Sequence, residues 1–256
     1  MPEKPSDSKM RDELLDCMMK TELVIVTGTG VSLQSVGYPT QTGTDIAGWP
    51  GLLESGIVYC EKHDLVKPNG AAIARLQITT PDTTEDFIDA AQSIHRWLAT
   101  QTNARLYWIK ETIGQLKLHD DSLILAIQSL GGLITTLNYD GLLHQVLKRP
   151  TVHWKEQDKI DGYLRAGSTD FILHIHGHWE ALDSIVLDRA SYDEISQNDK
   201  MQQLMQRFAR WHTMLFIGCG DTFLDPNFNT LIKWCNKALN GSSHRHFILC
   251  RQSDEQ

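Results

Sequence analysis

Three short apolar runs, at residues 23–26, 130–137 and 171–175, each stop at a polar or glycine-rich segment. Each run has the length of a strand, and its nearly continuous apolar character fits a strand covered on both faces, as in a parallel sheet. The segments that follow are Thr27-Gly28-Thr29-Gly30-Val31-Ser32, Asn138-Tyr139-Asp140 and His176-Gly177. Open α/β sheets bind ligands in the crevice outside the carboxyl ends of their strands. A sheet built on these runs therefore brings a glycine turn, an asparagine and a histidine to one crevice. A glycine turn at a helix start also presents backbone N–H groups to a phosphate, so the three elements point at one nucleotide site.

The rest of the chain supplies the helices such a sheet needs. Residues 1–20 read as a loose tail of ten residues and a short helix, with Leu14, Leu15, Met18 and Met19 on one side. Residues 21–256 read as the sheet-bearing domain. Residues 34–51, rich in Gly, Thr and Pro, read as a loop bordering the site. From about 45 to 120 the pattern is helical without a strand, an insertion or cap on the sheet. Its clearest start is Pro81-Asp82-Thr83-Thr84-Glu85-Asp86, with cap residues ahead of acidic ones. Alternation then resumes, with helices at 121–129, 139–147, 191–210 and 227–239 and strands at 133–137, 171–175, 214–218 and 246–250. The expected fold is α/β, a doubly wound, mostly parallel Rossmann-like sheet with a helical insertion.

Composition narrows the classes of partner. The 256 residues are 41% hydrophobic, enough for a substantial core, and carry a formal charge of −8. No cluster of Lys and Arg offers a face for nucleic acid, which disfavours direct nucleic-acid binding. No apolar run reaches membrane-spanning length and the N-terminus is not signal-like, so a soluble cytoplasmic protein without membrane attachment is expected. Cys17, Cys60, Cys219, Cys235 and Cys250 are scattered with no Cys-x-x-Cys pair, a pattern of reduced thiols rather than of a zinc ribbon or disulfide framework.

Each motif also has a plainer reading. The sixth position of a dinucleotide fingerprint starting at Gly28 is Leu33 rather than glycine, and Gly-x-Gly turns are common in loops. Ser32 strengthens the nucleotide reading, because a hydroxyl at a helix start caps the helix or donates to phosphate. His176 reads equally as a core histidine. By strand alternation it shares a face with His174 and His178, which suggests a metal site, although Gly177 is better taken as the end of the strand. Asn138 reads also as the cap of a helix starting near Asp140.

Taken in order along the chain, these pieces resemble the sirtuins. Gly28-Thr29-Gly30-Val31-Ser32 is similar to their Gly-Ala-Gly-x-Ser loop, Thr136 to Asp140 to their Thr-x-Asn-x-Asp segment, and Ile175-His176-Gly177 to their Leu-His-Gly. Phe216-Ile217-Gly218-Cys219-Gly220, followed by Asp225-Pro226-Asn227-Phe228, resembles the late glycine loop of sirtuin-like domains in bacterial anti-phage NAD-degrading effectors. Trp49 with Leu52 and Leu53 resembles their tryptophan-leucine segment. The chain departs from protein-deacylating sirtuins in having no cysteine between Gly177 and Met214, where their zinc module is expected. Thr29 replaces the usual alanine and Gly220 a usual serine.

The resemblance implies a zinc-free NAD+ hydrolase that releases nicotinamide and ADP-ribose, with NAD+ as substrate and no metal. It implies an effector of abortive infection, a homo-oligomer, and restraint by a separate activator protein or a fused sensor domain. Asn138 is expected to position the ribose or attacking water, and His176 to act as base. Gly28, Thr29, Gly30, Ser32, Tyr139, Asp140, Gly218, Cys219 and Gly220 are expected to hold the dinucleotide, the first loop clamping the pyrophosphate and Asp140 meeting the nicotinamide carboxamide. Replacing Asn138 or His176 should stop turnover and spare the fold, since both would lie at the site and not in the core. An NAD or ADP-ribose sensor and a zinc-free deacylase are the alternatives.

Overall fold

Residues 7–20, 22–37, 46–219 and 246–249 are described by the structure, a computed structural model. Six strands form one sheet, β1 (Leu23–Thr27), β2 (Leu133–Thr136), β3 (Thr151–His153), β4 (Ile172–His174), β5 (Thr213–Ile217) and β6 (Phe247–Leu249). Their order is β3-β4-β2-β1-β5-β6, and every pair is parallel. The chain leaves β1 towards β2 on one side and returns to β5 on the other, which puts a topological switch point beside β1.

Alternate side chains of each strand go to opposite faces. Leu23, Ile25, Ile134, Ile172, Leu215 and Ile217 pack with α1 (Asp7–Met19), α2 (Thr29–Val36), α7 (Ser122–Ser129) and α8 (Leu142–Leu147). Val24, Val26, Leu133, Leu173, Met214 and Phe216 pack with α9 (Gln157–Arg165), α10 (Arg189–Gln197) and α11 (Asp199–Trp211). Helices on both faces explain why the strands are apolar throughout, and the fold is the expected doubly wound Rossmann-like one.

Between α2 and α7 the chain builds a third apolar cluster from α3 (Trp49–Lys62), α4 (Pro68–Thr79), α5 (Thr84–Leu98) and α6 (Ala104–Glu111). Helix α5 starts where the sequence places it. Thr83 Oγ1 accepts from the Glu85 amide, and Asp86 Oδ2 accepts from the Thr83 amide at 2.9 Å. The cluster reaches the sheet through Tyr139, Ile185 and Leu187.

Several boundaries differ from the sequence reading. Helix α1 begins at Asp7, inside the expected tail. The helix expected over 191–210 is two, because the Asn198 side chain accepts from the Met201 amide at 3.0 Å and starts α11 afresh. Strand β3 and helix α9 were not expected, and the former is a three-residue edge strand with too short a pattern to detect. The expected helix at 227–239 lies outside the described residues. Among the described residues no helix is long and apolar enough to cross a membrane.

Candidate functional site

The register pairs Thr27 with Thr136 and with Ile217, and Thr136 with His174, so four strand ends lie at one level. The loop after β1 and the loop after β5 meet backbone to backbone. Gly28 N–H donates to the Ile217 carbonyl and Gly30 N–H to the Gly218 carbonyl, both at 2.9 Å. A Cβ on Gly28 would lie 2.7 Å from the Gly218 oxygen, and one on Gly218, whose φ is +68°, would lie 2.7 Å from the Val31 nitrogen. These glycines allow that approach. The Gly28 and Gly30 amides are thereby committed to the neighbouring loop, and Val31 N–H is committed to the Gly28 carbonyl. Of the expected phosphate clamp, the start of α2 keeps its dipole and the Thr29 side of the turn, which lines a cleft. Cys219 is fully buried beneath, its Sγ directed at the Val26 and Ile217 carbonyls. Gly220 and 225–228 lie outside the described residues.

Asn138, Ser32 and Asp140 form one buried network. Asn138 Nδ2 donates to the Gly28 carbonyl at 2.9 Å and to Ser32 Oγ at 2.7 Å, and Ser32 Oγ donates to Asp140 Oδ2 at 2.6 Å. The Gly28 oxygen can only accept, so the amide nitrogen must face it. Asn138 Oδ1 is left buried without a partner. Asn138 is not the helix cap. Gly141 occupies the cap position of α8, and Asp140 Oδ1 accepts from the Leu142 amide at 3.0 Å. Burial raises the Asp140 pKa, against the lowering effect of Ser32 and Leu142.

The three histidines have separate surroundings. Strand β4 ends at His174, and Gly177, with φ +93°, turns the chain. His174 Nδ1 donates to the Asn138 carbonyl at 3.1 Å and meets the His178 ring edge-on at 4.7 Å. His176 is 4% exposed, and burial lowers its pKa to about 3 against a hydrogen bond with the Leu137 backbone. Its Nδ1 has no partner. Burial likewise takes His174 to about 3 and His178 to about 4. Among the described residues no group of His, Cys, Asp and Glu is placed to hold a metal. Asn138 is 7% exposed, so the expectation that it and His176 lie outside the core does not hold.

A narrow cleft, with a cavity volume of about 20 Å³, opens beside the first loop, lined by Thr29, Trp49, Leu52, Asn138, Tyr139 and Asp140 together with Ala47, Gly48, Ile113 and Leu137. The structure thus joins Thr29, Asn138, Tyr139 and Asp140, while the buried His176 is not among the residues that line the cleft. Tyr139 Oη donates to the Val186 carbonyl at 2.7 Å, fixing the ring between sheet and cap. Trp49 Nε1 is a buried donor without a partner, and its ring packs 5.4 Å from Phe87. Trp49 was not among the expected site residues, although Trp-Pro-Gly at a helix start marks it. The cleft therefore carries an unpartnered acceptor on Asn138 and an unpartnered donor on Trp49.

A family model, described as SIR2-like domain, matches residues 132–256. The match takes in Thr136–Asp140, His174–Gly177 and the β5 loop, and begins after the first glycine turn and the cap. It supports a sirtuin-like domain over that part of the chain, and with it an NAD-related activity in general.

Proposed function

We propose that the protein hydrolyses NAD+ at the nicotinamide–ribose bond, giving nicotinamide and ADP-ribose. The observation that carries this reading is Asn138: its amide is locked by two donated hydrogen bonds, and its oxygen is left unpartnered at a cleft between the first loop and the cap. That oxygen accepts a hydrogen from the attacking water and aims it at the ribose. The C1′–N bond breaks, and its electron pair passes to the nicotinamide nitrogen and cancels the pyridinium charge. The water oxygen bonds to C1′, through a transition state of oxocarbenium character. Because the leaving group departs without protonation, the protein supplies position and a proton acceptor.

His176 is that acceptor in our reading, which requires bound NAD+ to open a path from the cleft to its buried Nδ1. With its hydrogen on the side of Leu137, Nδ1 carries a lone pair, and burial keeps the ring neutral throughout the physiological range. Asp140 holds Ser32 and meets the carboxamide. In this reading the nicotinamide-ribose end enters at the cleft, which widens to admit it, with the rest of the dinucleotide running over Thr29 and the start of α2. The role as an abortive-infection effector, the homo-oligomer and the activator follow from the resemblance and are proposed on that basis.

The test is purified full chain with NAD+ in H2¹⁸O, products read by mass, beside Asn138→Ala. ADP-ribose carrying ¹⁸O from the wild type alone is expected. Saturable NAD+ binding without products would replace the reading with a sensor, and nicotinamide release that depends on an acetyl-lysine peptide would replace it with a deacylase.

A further inference from the structure

The helical cap carries a second, open cavity, of about 270 Å³, where α5 ends and α6 begins. Residues 182–188 separate it from the first cleft. From one side Tyr139 donates to the Val186 carbonyl, and from the other Arg105 Nη2 donates to the Ile185 carbonyl at 3.4 Å. Among the described residues that long hydrogen bond is the one Arg105 makes, and no carboxylate lies within ion-pair distance of it. The neighbouring Asp188 is already committed. Its Oδ2 holds His95 Nδ1 at 2.5 Å, and its Oδ1 accepts from the Ser191 amide at 2.9 Å and hydroxyl at 2.8 Å. Burial lowers the Arg105 pKa, opposed by Asp188, Tyr139 and Asp183. Arg105 is half-buried, and its guanidinium, with most of its five donors unused by the protein, is open to an anion entering this cavity.

His95 also lines this cavity. With Nδ1–H donated to Asp188, Nε2 of the neutral ring accepts, and a ligand meets it through an O–H such as that of a phosphate monoanion. Leu98, Leu106 and Leu182 give the remaining wall an apolar character. A planar fork beside an imidazole suits an anion with three acceptor oxygens better than a carboxylate with two. The apolar wall needs something more than a bare ion. We propose that this cavity is a second ligand site, for a small phosphate monoester whose phosphate sits on Arg105 and His95 and whose apolar or ring portion lies on the leucines. The site stands independently of the reading of the first cleft.

The experiment is calorimetric titration of the full chain with phenyl phosphate, inorganic phosphate and benzoate at constant ionic strength. Phenyl phosphate should bind saturably and about tenfold more tightly than either of the others. Arg105→Gln should weaken it at least about tenfold. Gln101→Glu, a charge added at an exposed rim position that leaves the core untouched, should weaken it too, and so keeps the test sound if Arg105→Gln fails to fold. Asn138→Ala, in the other cleft, should bind as the wild type does. Absence of saturable phenyl phosphate binding, equal binding by wild type and Gln101→Glu, or preference for benzoate would each overturn the proposal. So would binding that is lost in Asn138→Ala and kept in Arg105→Gln.

Discussion

At the level of single residues, Asn138 joins chemistry to stability. Its amide satisfies the Gly28 carbonyl and Ser32 at once, so Asn138→Ala removes a strut as well as the oxygen proposed to hold water. We expect NAD+ turnover to fall at least about 100-fold and unfolding free energy to drop by about 1–3 kcal/mol. Product assay and urea denaturation on the same preparation check both. For His176 the active form is the neutral one, lost as pH falls through its pKa. Since burial has moved that pKa to about 3, kcat/KM should run flat from pH 8 to about 5.5. An inflection near about 6.5, the ordinary histidine value, would show that the ring is solvated in the free enzyme rather than buried, and a flat profile down to about pH 5.5 that persists in His176→Ala would remove it from the role of proton acceptor.

Among the elements, the join between the β1 and β5 loops is the least tolerant. Gly218→Ala combines a positive φ with a Cβ placed 2.7 Å from the Val31 nitrogen, and neither backbone can retreat without breaking the Gly30-to-Gly218 hydrogen bond. We expect a loss of at least about 2 kcal/mol, seen as a lower melting temperature, with the cleft beside the first loop disturbed in the same variant. Helix α5 depends on local chemistry instead. Thr83→Ala, which removes its cap, should cost about 1 kcal/mol, measured by thermal melting. The start of α5 was legible in the sequence because a capping box lies within four residues. Strand β3 was not, because three residues carry no period and become a strand only by pairing with β4.

For the molecule as a whole, burying three histidines makes stability depend on pH. Unfolded, each takes a proton near its ordinary value of about 6.5. Folded, His174 and His176 do so at about 3 and His178 at about 4. Between those values the unfolded chain binds more protons, so stability rises with pH and is lost on acidification below about 6.5. Three histidines at full slope give a ceiling of about 6 kcal/mol between pH 6.5 and 5, and we expect urea midpoints at pH 7 and 5 to report about 2–6 kcal/mol. Asp140, raised by burial, works in the opposite sense above its unfolded value. Asp188, held low by His95 and Ser191, adds stability that disappears at more acid pH. Equal midpoints at pH 7 and 5 would mean that the histidines are solvated in the folded chain.

Local patterns along the chain were enough to specify the parallel sheet apart from its edge strand β3, the helical run between its first two strands, and the arrival of Asn138 and the first glycine turn at one crevice. Apolar runs of strand length, caps, and glycines at strand ends each act within a few residues. Long-range packing did the remainder. It committed the Gly28 and Gly30 amides to the β5 loop, buried His176 apart from the residues that line the cleft, and brought Trp49 from the cap to the cleft that Asn138 lines. Each of these depends on backbone meeting backbone, or ring meeting loop, between segments far apart in the chain, and a local pattern does not encode which distant group will be opposite.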